Sequence, residues 1–330
     1  METLNKNKKI IFILLSAVVL FFTTLISLKL GSIDISFKDL IIGILSGSND
    51  GNIGIIKDLR MPRVIIAILV GASLAISGVL LQAVIRNPLA DPYITGISSG
   101  SCVVTVFFMV FMPSVTTSRP IFGFFGGVIS CTIVYIMAYK KELSPIRIVL
   151  AGAACNALLG SISSMFTISA GIGSSNIQKW IMGSLATVTW DNVYVLIPYS
   201  IIGILASICL SKACNVLVLG SKNAKSLGFN SNLYMIIVTM VAVFLASIST
   251  AIAGVISFVG LVVPHLCRII VGSDHKYLIP LSGISGSILV LLSDTIGRTI
   301  MKPYELPVGI VTCIIGAPFF LYLLKRSDLK

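Results

Sequence analysis

Apolar residues run almost unbroken through ten stretches of this chain, parted by short segments where charges, prolines and glycines collect. The stretches cover roughly 10–30, 62–85, 93–112, 121–139, 145–170, 191–211, 231–250, 252–270, 277–297 and 306–325. A helix rises about 1.5 Å per residue, so about 20 apolar residues cross the roughly 30 Å of hydrocarbon in a bilayer. The pattern predicts an all-α polytopic membrane protein of about ten transmembrane helices, organised as one transmembrane domain over 1–330. The seventh and eighth stretches are separated only by "TAIAG", so hydropathy alone could fuse them. The first follows a basic start (Lys6, Lys8, Lys9) like that of a signal peptide. Its apolar part exceeds the ~7–15 residues of a signal core, and "SLKLGSIDIS" offers no clear small-x-small cleavage site, so a retained first span is expected.

Composition narrows the class. Of 330 residues, 56% are hydrophobic and 11% charged. Soluble domains carry about 25% charged residues, so too few are present to cover two soluble domains of this length. An even span number puts both termini on one side. With that side inside, 15 of the 24 Lys and Arg fall on inner segments and 9 on outer ones, as the positive-inside rule requires. The net charge of +12 therefore reports topology, and no nucleic-acid partner is expected. Arg60, Arg63 and Arg298 run against the bias, because they sit at outer span ends.

Within the spans, small residues recur at helical spacing: Gly71, Ala75 and Gly78; Gly152 and Gly160; Gly283 and Gly286. Such residues let membrane helices approach closely. Asn156, between Gly152 and Gly160, fits an interhelical hydrogen bond or a place on the translocation path. The seven cysteines are scattered without a CxxC pair, and neither disulfide nor metal site is expected. Nucleophile–base pairs, HExxH and phosphate-loop patterns are missing, so no enzymatic activity and no cofactor are expected in this chain. Ion-coupled carriers keep carboxylates or histidines at bilayer depth. Here Asp294, near the outer end of the ninth span, is the sole carboxylate of that kind. Any uphill transport then draws its energy from another chain.

Three inner loops gather the helix breakers and charges. "VIRNPLADPYITGISSG" joins spans two and three, "LGSKNAKSLGFNSN" (219–232) precedes span seven, and "GLVVPHLCRIIVGSDHKYLIP" joins spans eight and nine. In the first, proline and asparagine are expected to stop the helix where water satisfies the freed backbone. Together the loops suggest a cytoplasmic partner surface.

"LRMPRVIIAILVGASLAISGVLLQAVIRNPLADPYITGISSGS", "GVISFVGLVVPHLCRIIVGSDHKYLIPLSG" and "ELPVGIVTCIIGAPFFLYLLKR" resemble, in order and spacing, the signatures of the FecCD-type permeases. These are membrane subunits of ABC importers for iron-siderophores, haem and cobalamin. The resemblance implies a type II ABC importer permease fold with ten helices in the cytoplasmic membrane. It also implies a second permease subunit, same or homologous, two ATPase subunits that bind the ATP, and an extracytoplasmic substrate-binding protein. Cargo would cross by alternating access driven by the ATPases. Iron-siderophore is the expected cargo, with haem and cobalamin as the others.

By the same resemblance, Arg60, Arg63 and Arg298 match the arginines that meet glutamates on the binding protein, a rim that steers and orients an acidic partner. Snorkelling to the interface is the other reading. Ala224, Leu227 and Gly228 match the segment that couples to the ATPase, although Lys222 stands where relatives often carry an acid. A short helix ending at Gly228, with glycine as its left-handed cap, would seat in the ATPase; a solvated linker is the alternative. Arg86, Asn87, Pro88, Asp91, Pro264, His265 and Arg268 either flank that contact or cap helices. "WIMGSLATVTW" holds both tryptophans outside, expected as interfacial anchors.

Overall fold

The computed structural model describes residues 5–30, 54, 56–115, 118–139, 145–226 and 228–326. Among them the main elements are α-helices: α1 Lys6–Lys29, α2 Met61–Ile85, α3 Ile97–Phe111, α4 Arg119–Ala138, α5 Pro145–Ser169, α6 Ser174–Ile181, α7 Trp190–Cys209, α8 Ser211–Val218, α9 Ser221–Ser226, α10 Ser231–Ala253, α11 Val259–Val271, α12 His275–Thr299 and α13 Val308–Arg326. A single wider turn, Ile56–Arg60, leads into α2. Ten of these helices are apolar and correspond to the ten expected spans, but three are not full-length crossings: α3, α11 and the apolar part of α13.

The bundle is built around α2, which packs against α12, α10, α11 and α7 and is buried along most of its length. Glycines make this possible. A Cβ at Gly71 would land on the Gly286 carbonyl of α12, and one at Gly286 on the Gly71 carbonyl. The Gly78 position meets Gly260 of α11 in the same way, and Gly100 of α3 meets Gly126 of α4. Hydroxyls join the same helices: Ser77 donates to the Ala242 carbonyl (2.7 Å), Ser101 to Ser247 (2.7 Å) and Ser287 to Ile68 (2.8 Å). Because lipid is as apolar as leucine, close backbone contact and such bonds, rather than hydrophobic burial, hold membrane helices together.

The eighth expected span, 252–270, is corrected. Thr250–Ala253 complete α10, the chain then runs non-helically from Gly254 to Phe258, and α11 starts at Val259. Its 13 residues reach about 20 Å, short of a bilayer crossing. Neighbouring backbone holds the break. Gly254 takes φ +73 with the Trp180 carbonyl where a side chain would be, and the Val255 N–H donates to the Ile181 carbonyl. Backbone outside a helix is tolerated at membrane depth only when protein satisfies it in this manner.

The prolines of the third loop do not end their helices. Pro264 lies inside α11 and Pro280 inside α12. Pro264 has no N–H to give the Gly260 carbonyl, four residues back. Gln82 of α2 supplies the missing donor through Nε2 (3.2 Å).

The tryptophans turn inward as well. Trp180 is buried, donating from Nε1 to the Ile252 carbonyl (3.1 Å), and half-buried Trp190 donates to the Lys57 carbonyl (2.9 Å). Both tie segments of the protein together through these bonds.

Candidate functional site

Two groups of charged residues occupy opposite ends of the bundle. At the end expected outside, the final turns of α1 and α12, the turn before α2 and the loop 300–307 converge. Arg63 grips Asp294 with Nε (3.0 and 3.1 Å) and Nη2 (2.9 Å), and its Nη1 donates to Glu305 at 2.7 Å. Asp294 also faces Arg298 Nε at 3.1 Å. Arg298 donates to the Ser27 and Leu30 carbonyls and the Ser27 hydroxyl, while Arg60 donates to the Leu28 and Lys29 carbonyls (2.8 and 2.9 Å). These carbonyls end α1, and cations are favoured there because the last carbonyls lack intrahelical donors.

The three expected docking arginines thus lie together, as the motif suggested, but they are not a free rim. All three are buried and point into the protein, which also removes snorkelling as their explanation. Arg63 and Arg298 share the Asp294 carboxylate, and Arg63 also holds Glu305, so these charges are paired within the cluster. Asp294 is 1% exposed and held by two guanidiniums. The sequence marks Asp294 as a membrane-depth carboxylate but gives Glu305, within "ELPVG", no mark of its own. The meeting of both with Arg63 is a tertiary fact.

At the other end the three inner loops touch. Arg268 donates to Gln82 Oε1 (2.8 Å) and the buried Asp91 carboxylate lies by Gly260, so the first and last loops interlock. Arg86, exposed and left-handed (φ +54) at the end of α2, places its guanidinium at Gly220. Asn215 of α8 bonds Asp274 (2.9 Å) and both the backbone and ring of His275, while Lys9 lies over Tyr277. Asn87 bonds the Leu89 N–H, Pro88 is exposed, and His265 is half-buried on α11. Helix α9 ends as expected locally. Gly228 is left-handed (φ +72), and the Phe229 N–H reaches back to the buried Ala224 carbonyl, the pattern of a Schellman cap. Leu227 lies outside the described residues.

The two remaining candidates on α5 separate. A Cβ at Gly152 would strike the Ile94 carbonyl, so that glycine packs, and Asn156 Nδ2 bonds the Tyr93 carbonyl (2.9 Å) beside it. Nothing lies within 4 Å of the Gly160 position, on the exposed face of α5. Among the described residues no three His, Cys, Asp or Glu side chains converge as a metal site would require.

Burial pushes the Asp91 carboxyl up to about 6, against the partial help of the Tyr93 and Ile94 backbone N–H groups. The folded value lies above the ordinary one, so the fold opposes ionisation. Stability of the isolated permease should fall as pH rises from about 4 to about 6 and level off above. Asp91→Asn keeps an acceptor for the Tyr93 N–H and should flatten that slope in thermal melts of detergent-solubilised protein. A variant less stable than wild type at pH 7.5 would reveal a cation facing Asp91.

Comparison with known proteins places this arrangement. The family model described as "FecCD transport family" matches residues 19–326. The Fe(3+)-citrate import system permease protein YfmD of Bacillus subtilis (strain 168) is 36% identical, with 98% of this chain and 97% of that one aligned. The probable heme-iron transport system permease protein IsdF of Staphylococcus aureus (strain Newman) is 37% identical, with 98% of each chain aligned. A solved structure described as "An inward-facing conformation of a putative metal-chelate type ABC transporter" superposes with a TM-score of 0.80. It is 28% identical and covers 96% of this chain and 99% of its own.

Proposed function

The chain belongs to the FecCD transport family, and from that premise we propose that it is the membrane permease of an ATP-binding cassette importer whose cargo is an iron chelate. The observation that carries this reading is full-length similarity to permeases named for Fe(3+)-citrate and heme-iron transport. A ferric chelate, siderophore or haem, is the substrate class these relatives favour. The partners are a second permease subunit, two cytoplasmic ATPases and an extracytoplasmic binding protein. The site is the cytoplasmic membrane, with both termini inside.

The two ends then have distinct work. The arginine cluster receives the binding protein. Its guanidiniums suit an acidic partner, and its internal bonds fix where each one stands. The interlocked loops and α9 receive the ATPase. Arg268–Gln82, Asp91 at Gly260 and Asn215 with Asp274–His275 link that surface to α2, α11 and α12, so nucleotide-driven movement would reach the core helices directly.

The test is uptake into proteoliposomes holding the permease and its ATPase, with the binding protein added outside. Ferric citrate, a ferric siderophore and haem, each labelled with 55Fe, are compared. One or more should accumulate only when ATP, ATPase and binding protein are all present. Accumulation against a gradient driven by an ion gradient, with the ATPase left out, would overturn the reading in favour of a secondary transporter.

A further inference from the structure

The two carboxylates on Arg63 are not alike. Asp294 sits on α12, 1% exposed, gripping Arg63 through Nε and Nη2 and also facing Arg298. Glu305 sits on the loop after α12, its side chain 33% exposed, and takes only Nη1. The loop is pinned next to Glu305, where the Leu306 N–H donates to the Gly297 carbonyl (2.9 Å). Before it, Ile300, Met301 and Tyr304 stand exposed in a turn. A buried guanidinium with an unfilled donor is costly, so Nη1 needs a carboxylate whenever no partner supplies one.

We propose that Glu305 is a displaceable placeholder: it occupies Arg63 Nη1 in the free permease and gives way to a carboxylate of the docking protein. This rests on the docking role of the arginine cluster. Asp294 stays in place and keeps the guanidinium aimed, and the incoming carboxylate approaches by the exposed side that Glu305 now fills. One carboxylate replaces another, so the buried arginine is paired before and after the exchange. The exposed Tyr304, Met301 and Ile300 beside it give the partner an aromatic and apolar surface of the kind that anchors protein interfaces. Glu305 thereby lowers affinity and eases release, which an importer that must discharge an empty binding protein requires.

The test measures capture of the soluble form of the binding protein that serves this permease, by permease–ATPase complex in nanodiscs. Glu305→Gln keeps the shape and a neutral acceptor but weakens the internal competitor. Capture should tighten several-fold, up to roughly tenfold, the scale of one partly exposed ion pair. Asp191→Asn, an equal charge change at an exposed position on the same end, separates exchange from general attraction. It should alter capture little. Equal gains in both variants would reduce the effect to net charge, and unchanged or weaker capture by Glu305→Gln would make Glu305 a support for docking. Either overturns the placeholder. Arg63→Gln, or Arg63→Lys if the first is not monodisperse, tests the underlying reading. Lost capture with no gain from Glu305→Gln sinks only the placeholder, whereas capture like wild type sinks docking on Arg63 and the placeholder with it.

Discussion

Replacing Asp294 with alanine is expected to destabilise the protein more than any other single change in the arginine cluster. Its carboxylate is almost wholly buried and lies between Arg63 and Arg298. Removing one partner of a buried ion pair typically costs about 3–5 kcal/mol, because the remaining charge is left desolvated and unpaired. That is a large share of the roughly 5–15 kcal/mol that keeps a typical protein folded. The melting temperature in detergent should drop by on the order of 10 °C. Asparagine should do little better, since it restores an acceptor but not the charge. The cause can be separated from simple cavity formation by a second substitution. Asp294→Ala combined with Arg298→Met removes one of the stranded cations and leaves Arg63 with Glu305. The double variant should be less destabilised than the sum of the two single ones. Additive losses would mean that the carboxylate matters for its volume alone.

The second large effect is expected at Gly78. Alanine there gains about 1 kcal/mol of helix propensity over glycine. Against this, its Cβ would fall on the backbone of Gly260, not on a side chain that could swing away. Overpacking of this kind costs about 1–3 kcal/mol, and here two helix backbones must part, so the clash wins. The displaced helix is α11, whose Gly260 carbonyl depends on Gln82 and whose Arg268 closes the loop contact. ATP-driven uptake should therefore fall along with stability. Gly160→Ala is the matched control. Nothing stands within 4 Å of its Cβ, so the propensity gain should survive and stability should hold or rise. Equal melting of the two variants would refute the packing of α2 on α11.

Much of the candidate site was readable as residues and little of it as geometry. The motif identified Arg60, Arg63 and Arg298, and their offence against the positive-inside rule marked them independently. Their burial was not readable, because arginine near a span end can snorkel or turn inward with the same sequence. The glycine cap of α9 was legible, since only backbone conformation decides it. The difference between Gly152 and Gly160 was not, because small residues at helical spacing look alike whether or not a neighbour arrives.

The sequence by itself determined an all-helical membrane protein with ten apolar segments, its family, and the loops that carry its distinctive chemistry. These follow from the cost of placing polar groups in hydrocarbon, which each segment meets on its own. The tertiary structure alone decided which segments meet. The most apolar stretches of the α1 and α2 spans have equal mean hydropathy, yet that of α1 is almost wholly exposed and that of α2 is the buried centre. Hydropathy cannot tell them apart because lipid and protein interior are equally apolar solvents. Likewise Arg63 and Asp294 are separated by 231 residues and joined only by folding. The break at Gly254–Phe258, invisible in an apolar run, exists because the Trp180–Gly183 segment is there to satisfy its backbone.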